Sequence, residues 1–342
     1  MKTAAMDKAG RERLAVEVVY DAAELDKLEP GDKPDFVLAK RYGPEFGVEV
    51  TDLYETESNA RLINVPGYIG QLFEGGPHIH RDDVAVLQVA EFSITDQDGN
   101  VKQENVRGVI QERSSESVHS EKLAQVIRSK NTKHAGYKTG LSHINLIIVD
   151  HFDRQDDDSR EYDTSRLFGR GVREAMAESP FQEVFLVGYG PSMKFYYRPL
   201  RQLMLLEQFR VFGAALDAFE PGCKLPIELQ PEHVTPLFVR VMERTTLALT
   251  YAMEQDKDWA VHHGCAVRLE DRGIVVSDYS DYPPRLEPCR LPDNPLPPDA
   301  FDALVRQHRD FSGKHGMTTR YFAPAAKSPV VPLGDESKDE HR

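Results

Sequence analysis

Two carboxylates stand out by their setting. Asp35 follows Lys33-Pro34, and Glu49 lies within Gly47-Val48-Glu49-Val50-Thr51. Residues 35–40 and 46–54 are rich in Val and Phe and flank Tyr42-Gly43-Pro44, which predicts a strand pair. Residues two apart on a strand share a face, so Glu49 and Thr51 project together. A short hairpin returns Asp35 alongside them. Carboxylates placed this way suit Mg2+ (or Mn2+), with the Val50 carbonyl as a further oxygen ligand. Such an ion activates water and offsets charge building on a phosphate.

This chemistry also needs a cation. On a predicted helix over 117–134, Leu123, Val126, Ile127, Lys130 and His134 fall on one stripe at helical spacing. Lys130 therefore interrupts an apolar, sheet-facing surface. A lysine there needs a carboxylate partner, and Glu49 is the expected one. Lys133 and Tyr137 flank the same face and are candidates for touching a phosphate. Lys122, Arg128 and Lys138 read as exposed charges. Glu17 and Asp21, on a predicted first helix, are candidates for an additional acid.

The elements around these residues alternate. Leu14, Val18, Ala22, Leu25 and Leu28 predict a helix over 11–28, stopped by Glu29-Pro30-Gly31-Asp32. After the strand pair comes a Gly/Pro-containing connector, then a hairpin over 84–95 and 101–112 around Asp98-Gly99-Asn100. The helix 117–134 leads to an apolar strand at 143–149, a helix at 164–178 and a second apolar strand at 183–188. Short, wholly apolar strands are buried on both faces. This order predicts an α/β domain over residues 1–190, with a mixed central sheet flanked by helices. Beyond it, amphipathic helices over 200–219 and 232–255, a hairpin over 265–279, a Pro-rich linker and a last helix from Pro298 predict a mainly helical accessory region over 191–322. Residues 323–342 have the composition of a disordered tail.

Pro-Asp-Phe, then Glu-x-Thr, then a helix carrying Lys130 and an apolar strand resembles the PD-(D/E)XK nuclease superfamily. The resemblance covers roughly residues 11–190. It implies an αβββαβ core, Asp35 and Glu49 as metal ligands, and hydrolysis of phosphodiester bonds in DNA or RNA. The family's usual Glu-x-Lys is Glu-x-Thr here. Thr51 cannot act as a cation, and some branches of the superfamily carry the lysine on the following helix, where this chain has Lys130.

Composition narrows the setting. The 342 residues carry a formal charge of −14, a mild argument against a nucleic-acid partner. Seven carboxylates in Asp150–Asp163 contribute much of that sum and read as a solvated connector. No apolar run is long enough to span a membrane. The charged first residues show no secretory signal, and three scattered cysteines fit a reduced, cytoplasmic protein. His78-x-His80 and His262-His263 with Cys265 lack answering ligands and read as structural. Phe195, Tyr196, Tyr197, Arg198 and Arg201 fit either a nucleic-acid contact or a seam joining the two halves. A second functional reading keeps the fold as a non-catalytic module binding a protein partner, which Thr51 and the acidic charge favour. The apolar faces of helices 200–219 and 232–255 fit a homodimer or partner interface, and equally fit packing on the N-terminal sheet.

Overall fold

The computed structural model describes residues 7–96, 98–111, 116–154, 161–163, 167–189, 195–218, 231–245, 247–270, 273–278, 286–314 and 320–322. The first half builds one six-stranded sheet from β1 (Leu25–Pro30), β2 (Phe36–Lys40), β3 (Phe46–Leu53), β6 (Ile144–Arg154), β8 (Val184–Tyr189) and β9 (Phe195–Pro199), in that spatial order. β1, β2 and β3 are antiparallel, β3, β6 and β8 run parallel, and β9 returns antiparallel. The expected mixed α/β sheet is therefore present. Helix α1 (Lys8–Val19) covers one face, where Ala15 and Val16 meet Val48, Val50, Ile147 and Phe185. Helices α5 (Glu116–Lys133) and α6 (Arg170–Ala177) cover the other, on Leu53, Leu146, Ile148 and Leu186. β6 is apolar throughout its centre because both its faces are buried.

Two segments differ from expectation here. The first helix ends at Val19, and Leu25–Pro30 is a strand paired with β2. Leu25 and Leu28 match helical spacing but are also reached by the β1–β2 ladder, which decides the outcome. The connector before the hairpin folds as α2 (Glu57–Asn64), α3 (Tyr68–Glu74) and α4 (Arg81–Val86). Buried Asp83 ties them, accepting from Ser58 Oγ (2.5 Å), Arg61 Nε (2.9 Å) and the Tyr68 hydroxyl. The Arg61 guanidinium holds the Asp83 carboxyl well below the ordinary range. The hairpin β4 (Leu87–Thr95) and β5 (Val101–Gln111) forms as expected, as a separate two-stranded sheet. A second two-stranded pair joins β7 (Glu161–Asp163) to β15 (Arg320–Phe322).

The second half is not mainly helical. Helices α7 (Leu200–Asp217), α8 (Pro231–Glu243) and α9 (Pro298–Lys314) accompany an antiparallel five-stranded sheet. Its strands are β10 (Thr250–Glu254), β11 (Lys257–His262), β12 (Cys265–Glu270), β13 (Gly273–Asp278) and β14 (Glu287–Pro288). Residues 250–255, expected at the end of a helix, instead enter the tight turn Gln255-Asp256, both at positive φ (49° and 63°). That geometry is the hairpin turn that matches strand twist, without the Asn-Gly signal that usually marks it.

The two halves share one core. Leu203, Phe212 and Phe238 lie in the same buried cluster as Leu146 and Leu186. β9 extends the first sheet past residue 190. The apolar faces of α7 and α8 are thus spent on packing within the chain, not offered as a dimer interface. Arg201 is fully buried and donates to the carbonyls of Ser179 (2.9 Å) and Phe181 (2.8 Å), with its Nη1 2.6 Å from His262 Nε2. Arg198 is also buried, over the Tyr196 ring at 4.4 Å. The aromatic and cationic run 195–201 is therefore a seam. Gly264 is part of it: a Cβ there would lie 2.7 Å from the Gln182 carbonyl oxygen. Residues 323–342 lie outside the described residues. Among the described residues no helix is long and apolar enough to cross a membrane.

A shared core predicts coupled unfolding. Phe238 packs its ring at 4.8 Å from Phe209 and 5.4 Å from Phe212. Phe238→Ala should cost about 3–5 kcal/mol. Urea denaturation followed by the fluorescence of Trp259, the sole tryptophan, and by far-UV circular dichroism should shift together. Separate transitions would show two independent cores.

Candidate active site

The carboxylates meet where β2 parts from β3. The β2–β3 ladder ends at Phe36↔Val48, while β3 continues beside β6 to Leu53. Past Val48 the β2 side of β3 has no strand neighbour. Asp35, just before β2, fills the gap: its Oδ2 accepts from Val50 N at 2.8 Å. Backbone N–H and C=O of one strand residue leave on the same side, so the Val50 carbonyl also points toward Asp35. Gly47 is required beneath this arrangement, because a Cβ there would lie 2.5 Å from Pro34 Cγ.

Glu49 projects from β3 toward α5. Lys130 Nζ donates to its Oε1 at 2.6 Å, and the two side chains are 15% and 9% exposed. The other oxygen, Oε2, is buried and has no hydrogen-bond partner among the described residues. Beside it stands Tyr137, whose buried hydroxyl approaches Glu49 without reaching hydrogen-bond geometry and has no other partner among the described residues. Burial, then the Glu49 charge, push that hydroxyl well above its usual range. An orphaned carboxylate oxygen in a buried setting is costly, and a cation is a partner that would satisfy it. Asp35, Glu49 Oε2 and the Val50 carbonyl are the hard oxygen donors Mg2+ takes, so the donor set fits. Among the described residues no group of three or more His, Cys, Asp or Glu side chains is placed to hold a metal, and the fit rests on two carboxylates and a backbone oxygen.

Asp35 is half-buried and its carboxyl is pushed up to about 6. Burial is the main cause. The Val50 N–H opposes it, and the charges of Glu49 and Glu12 add to it. Glu12 was not among the acids expected. Glu17 pairs with Arg13 (2.8 Å), and Asp21 caps a turn through Ala23 N (3.0 Å). Glu12 lies four residues before buried Val16, on the sheet-facing side of α1, and that spacing is a signal the sequence contains. It pairs with Lys8 at 3.3 Å. Lys8 is raised chiefly by Glu12, with Asp35 and Asp52 contributing, so it lies within electrostatic reach of both.

Further polar residues gather at the carboxyl ends of β3 and β6. His151 Nε2 is 2.9 Å from Asp52 Oδ1, and its ring stacks on Tyr54 at 4.7 Å. His119 Nε2 is 2.9 Å from buried Asp150 Oδ2. Asp150 is thus an interior residue, not the start of a solvated connector; residues 155–160 of that stretch lie outside the described residues. A cavity of about 690 Å3 opens on the α1 side, lined by Lys8, Arg11, Asp52, Tyr54 and Asn64 among others. His80 caps α4 through Asp82 N (3.4 Å), and Cys265 Sγ donates to the His262 carbonyl (3.2 Å), consistent with structural roles. Lys133 is exposed and makes no described contact with the carboxylates.

No protein-family model, no curated protein and no solved structure matches this chain. Any assignment therefore rests on these residues and their chemistry.

Two outcomes follow from the electrostatics. The folded chain holds the Asp35 proton more tightly than the unfolded chain. The resulting stabilisation is fully present below about pH 4 and is lost as pH rises through 6. In EDTA, Asp35→Asn should remove this pH dependence and be more stable at pH 7, by about 1–2 kcal/mol after allowing for solvent screening. Urea titrations at pH 4 to 7 check it. Lys130→Met leaves Glu49 buried and unpaired and should cost about 3 kcal/mol. Adding Glu49→Gln should recover most of that loss, measured by the same unfolding titration.

Proposed function

We propose that this chain is a metal-dependent nuclease of the PD-(D/E)XK kind, hydrolysing phosphodiester bonds of DNA or RNA. One observation carries the reading: Lys130, 81 residues from Glu49 in sequence, donates to it at 2.6 Å beside a carboxylate oxygen that has no hydrogen-bond partner among the described residues. The order α1, β1–β2–β3, α5, β6 supports it: with α2–α4 and the β4–β5 hairpin read as an insertion between β3 and α5, it matches the αβββαβ order that the resemblance implies.

Asp35, Glu49 and the Val50 carbonyl would hold Mg2+ or Mn2+. The bound ion supplies charge neutralisation at the phosphate and a more acidic water. The chain's own residues do the rest. Asp35 is held in place by Val50 N–H. Lys130 fixes the orientation of Glu49 through Oε1, and Oε2 is the oxygen that would ligate the ion. Its ammonium places positive charge where Thr51 offers none. Tyr137, Leu123 and Ile127 keep bulk water from the α5 side. Lys8 and Arg11 line the neighbouring cavity with Asp7 and Asp52, and are the cations there that a phosphate backbone would meet.

The test is incubation of the full chain with plasmid, single-stranded DNA and RNA, in Mg2+ or Mn2+ and in EDTA. Cleavage should require metal. Glu49→Gln and Lys130→Met should each lower the rate by about 10²-fold or more, as removal of one preorganised electrostatic group does. Cleavage that survives Glu49→Gln would sink the site assignment. A folded protein that cuts none of the substrates would favour the non-catalytic reading, a module that binds a protein partner.

A further inference from the structure

A second cavity lies in the other half of the molecule, far in sequence from the carboxylates. It measures about 510 Å3 and is bounded by α6, α7, α9 and the residues that follow α8. That volume is in the range of small-molecule sites. Its polar lining is one-sided. Arg173, Arg244 and Arg309 line it, and among the described residues no carboxylate does. Arg173 is neutralised from behind by Glu207, in a two-point pairing at 2.5 and 2.8 Å. Arg244 and Arg309 are exposed, and Arg309 Nη2 donates to the Arg244 carbonyl at 2.6 Å, which holds the two arginines together. A concave surface with two guanidiniums that make no ion pair among the described residues is unusual in a chain of net charge −14.

The floor of the cavity carries the second, independent observation. His308 is 1% exposed, and neither ring nitrogen has a hydrogen-bond partner among the described residues. The Gln208 backbone faces the ring without reaching hydrogen-bond geometry. One turn further along α9, the buried Ser312 hydroxyl also has no partner among the described residues. Residues four apart share a helix face, and both line the cavity. Buried polar groups are almost always satisfied, and leaving one unsatisfied is costly. Burial lowers the His308 ring to about 4, so at neutral pH it is uncharged and offers one donor and one acceptor. Ala177, Met204 and Leu247 complete the wall with apolar surface.

We propose that this cavity is a binding site for a small organic anion, an apolar or aromatic body bearing a carboxylate or phosphate. The acid group pairs with Arg244 and Arg309 at the mouth, where guanidiniums suit planar two-point recognition of either group. The body enters against Met204 and Leu247 and meets His308 and Ser312 at the floor. No residue of the carboxylate site takes part, so the inference stands independently of the nuclease reading.

The full chain is titrated calorimetrically with phenyl phosphate, benzoate and AMP, and with benzyl alcohol and adenosine as uncharged counterparts. At least one anion should bind and raise the melting temperature, and its uncharged counterpart should bind at least 10-fold more weakly. The phosphate and carboxylate arms decide which acid group is preferred. Arg244→Ala and Arg309→Ala, both exposed and compatible with folding, should each weaken binding by 10-fold or more. His308→Phe should weaken it while leaving the circular dichroism spectrum unchanged. If that variant unfolds, Ser312→Ala carries the same test at the floor. Absence of binding by all three anions overturns the proposal, as does binding that Arg244→Ala and Arg309→Ala leave unchanged, or equal binding of the uncharged counterparts.

Discussion

A charged carboxylate cannot remain alone on the apolar face of a buried sheet. Glu49 occupies that position on β3, between Gly47 and Leu53 on the face covered by α5. Its burial is tolerable because Lys130 arrives from α5 and donates to Oε1. The pairing sets both the rotation and the axial position of α5 over the sheet. Leu123 and Ile127, two turns and one turn before Lys130, pack in the same cluster as Leu53, Leu146 and Ile148. Satisfaction of this charge is only half complete, since Oε2 has no hydrogen-bond partner among the described residues. Such half-met polar groups are rare in a core and are where a ligand has the most to offer.

The other face depends on a different device. β3 outlasts β2, leaving backbone groups on its free side, and Asp35 answers one of them through Val50 N. Asp35 therefore sits at the fork between the strands, within reach of Glu49 and Lys130 on one side and Glu12 and Lys8 on the other. A strand that ends early is what allows both helical layers to influence one carboxylate.

The second half is welded to the first through buried polar groups as well as apolar ones. Glu183, fully buried at the entry to β8, accepts from Val184 N (2.7 Å) and from Arg201 N (2.8 Å) at the start of α7. That start is a ring of free N–H groups, which a carboxylate suits. Arg201 then spans to carbonyls after α6 and to His262 on β11. Burial and the Arg201 charge keep His262 well below its usual range, so the ring accepts rather than competes. With α7 and α8 consumed in this way, the concavity left between α6, α7 and α9 is bordered by His308 and Ser312, whose buried polar atoms have no partner among the described residues.

Residue type and local pattern made several things legible. Asp35 and Glu49 are distinctive because acids in Val-rich strands are expensive. Lys130 is distinctive because it breaks a stripe that Leu123 and Ile127 define. The apolar strands at 144–149 and 184–187 need no context, since their hydrophobicity alone demands two covered faces. Other features were decided by tertiary structure. Leu25–Pro30 joined the sheet because β2 offered a ladder, and Gln255-Asp256 turned because the flanking strands paired. Glu12 reached Asp35, and His308 lost its partners, only through how helices from distant parts of the chain came to rest. The sequence by itself determined which groups are costly to bury. Only the packed chain decided which of them are compensated, because compensation is a matter of distance, and distance between remote residues is set by the fold.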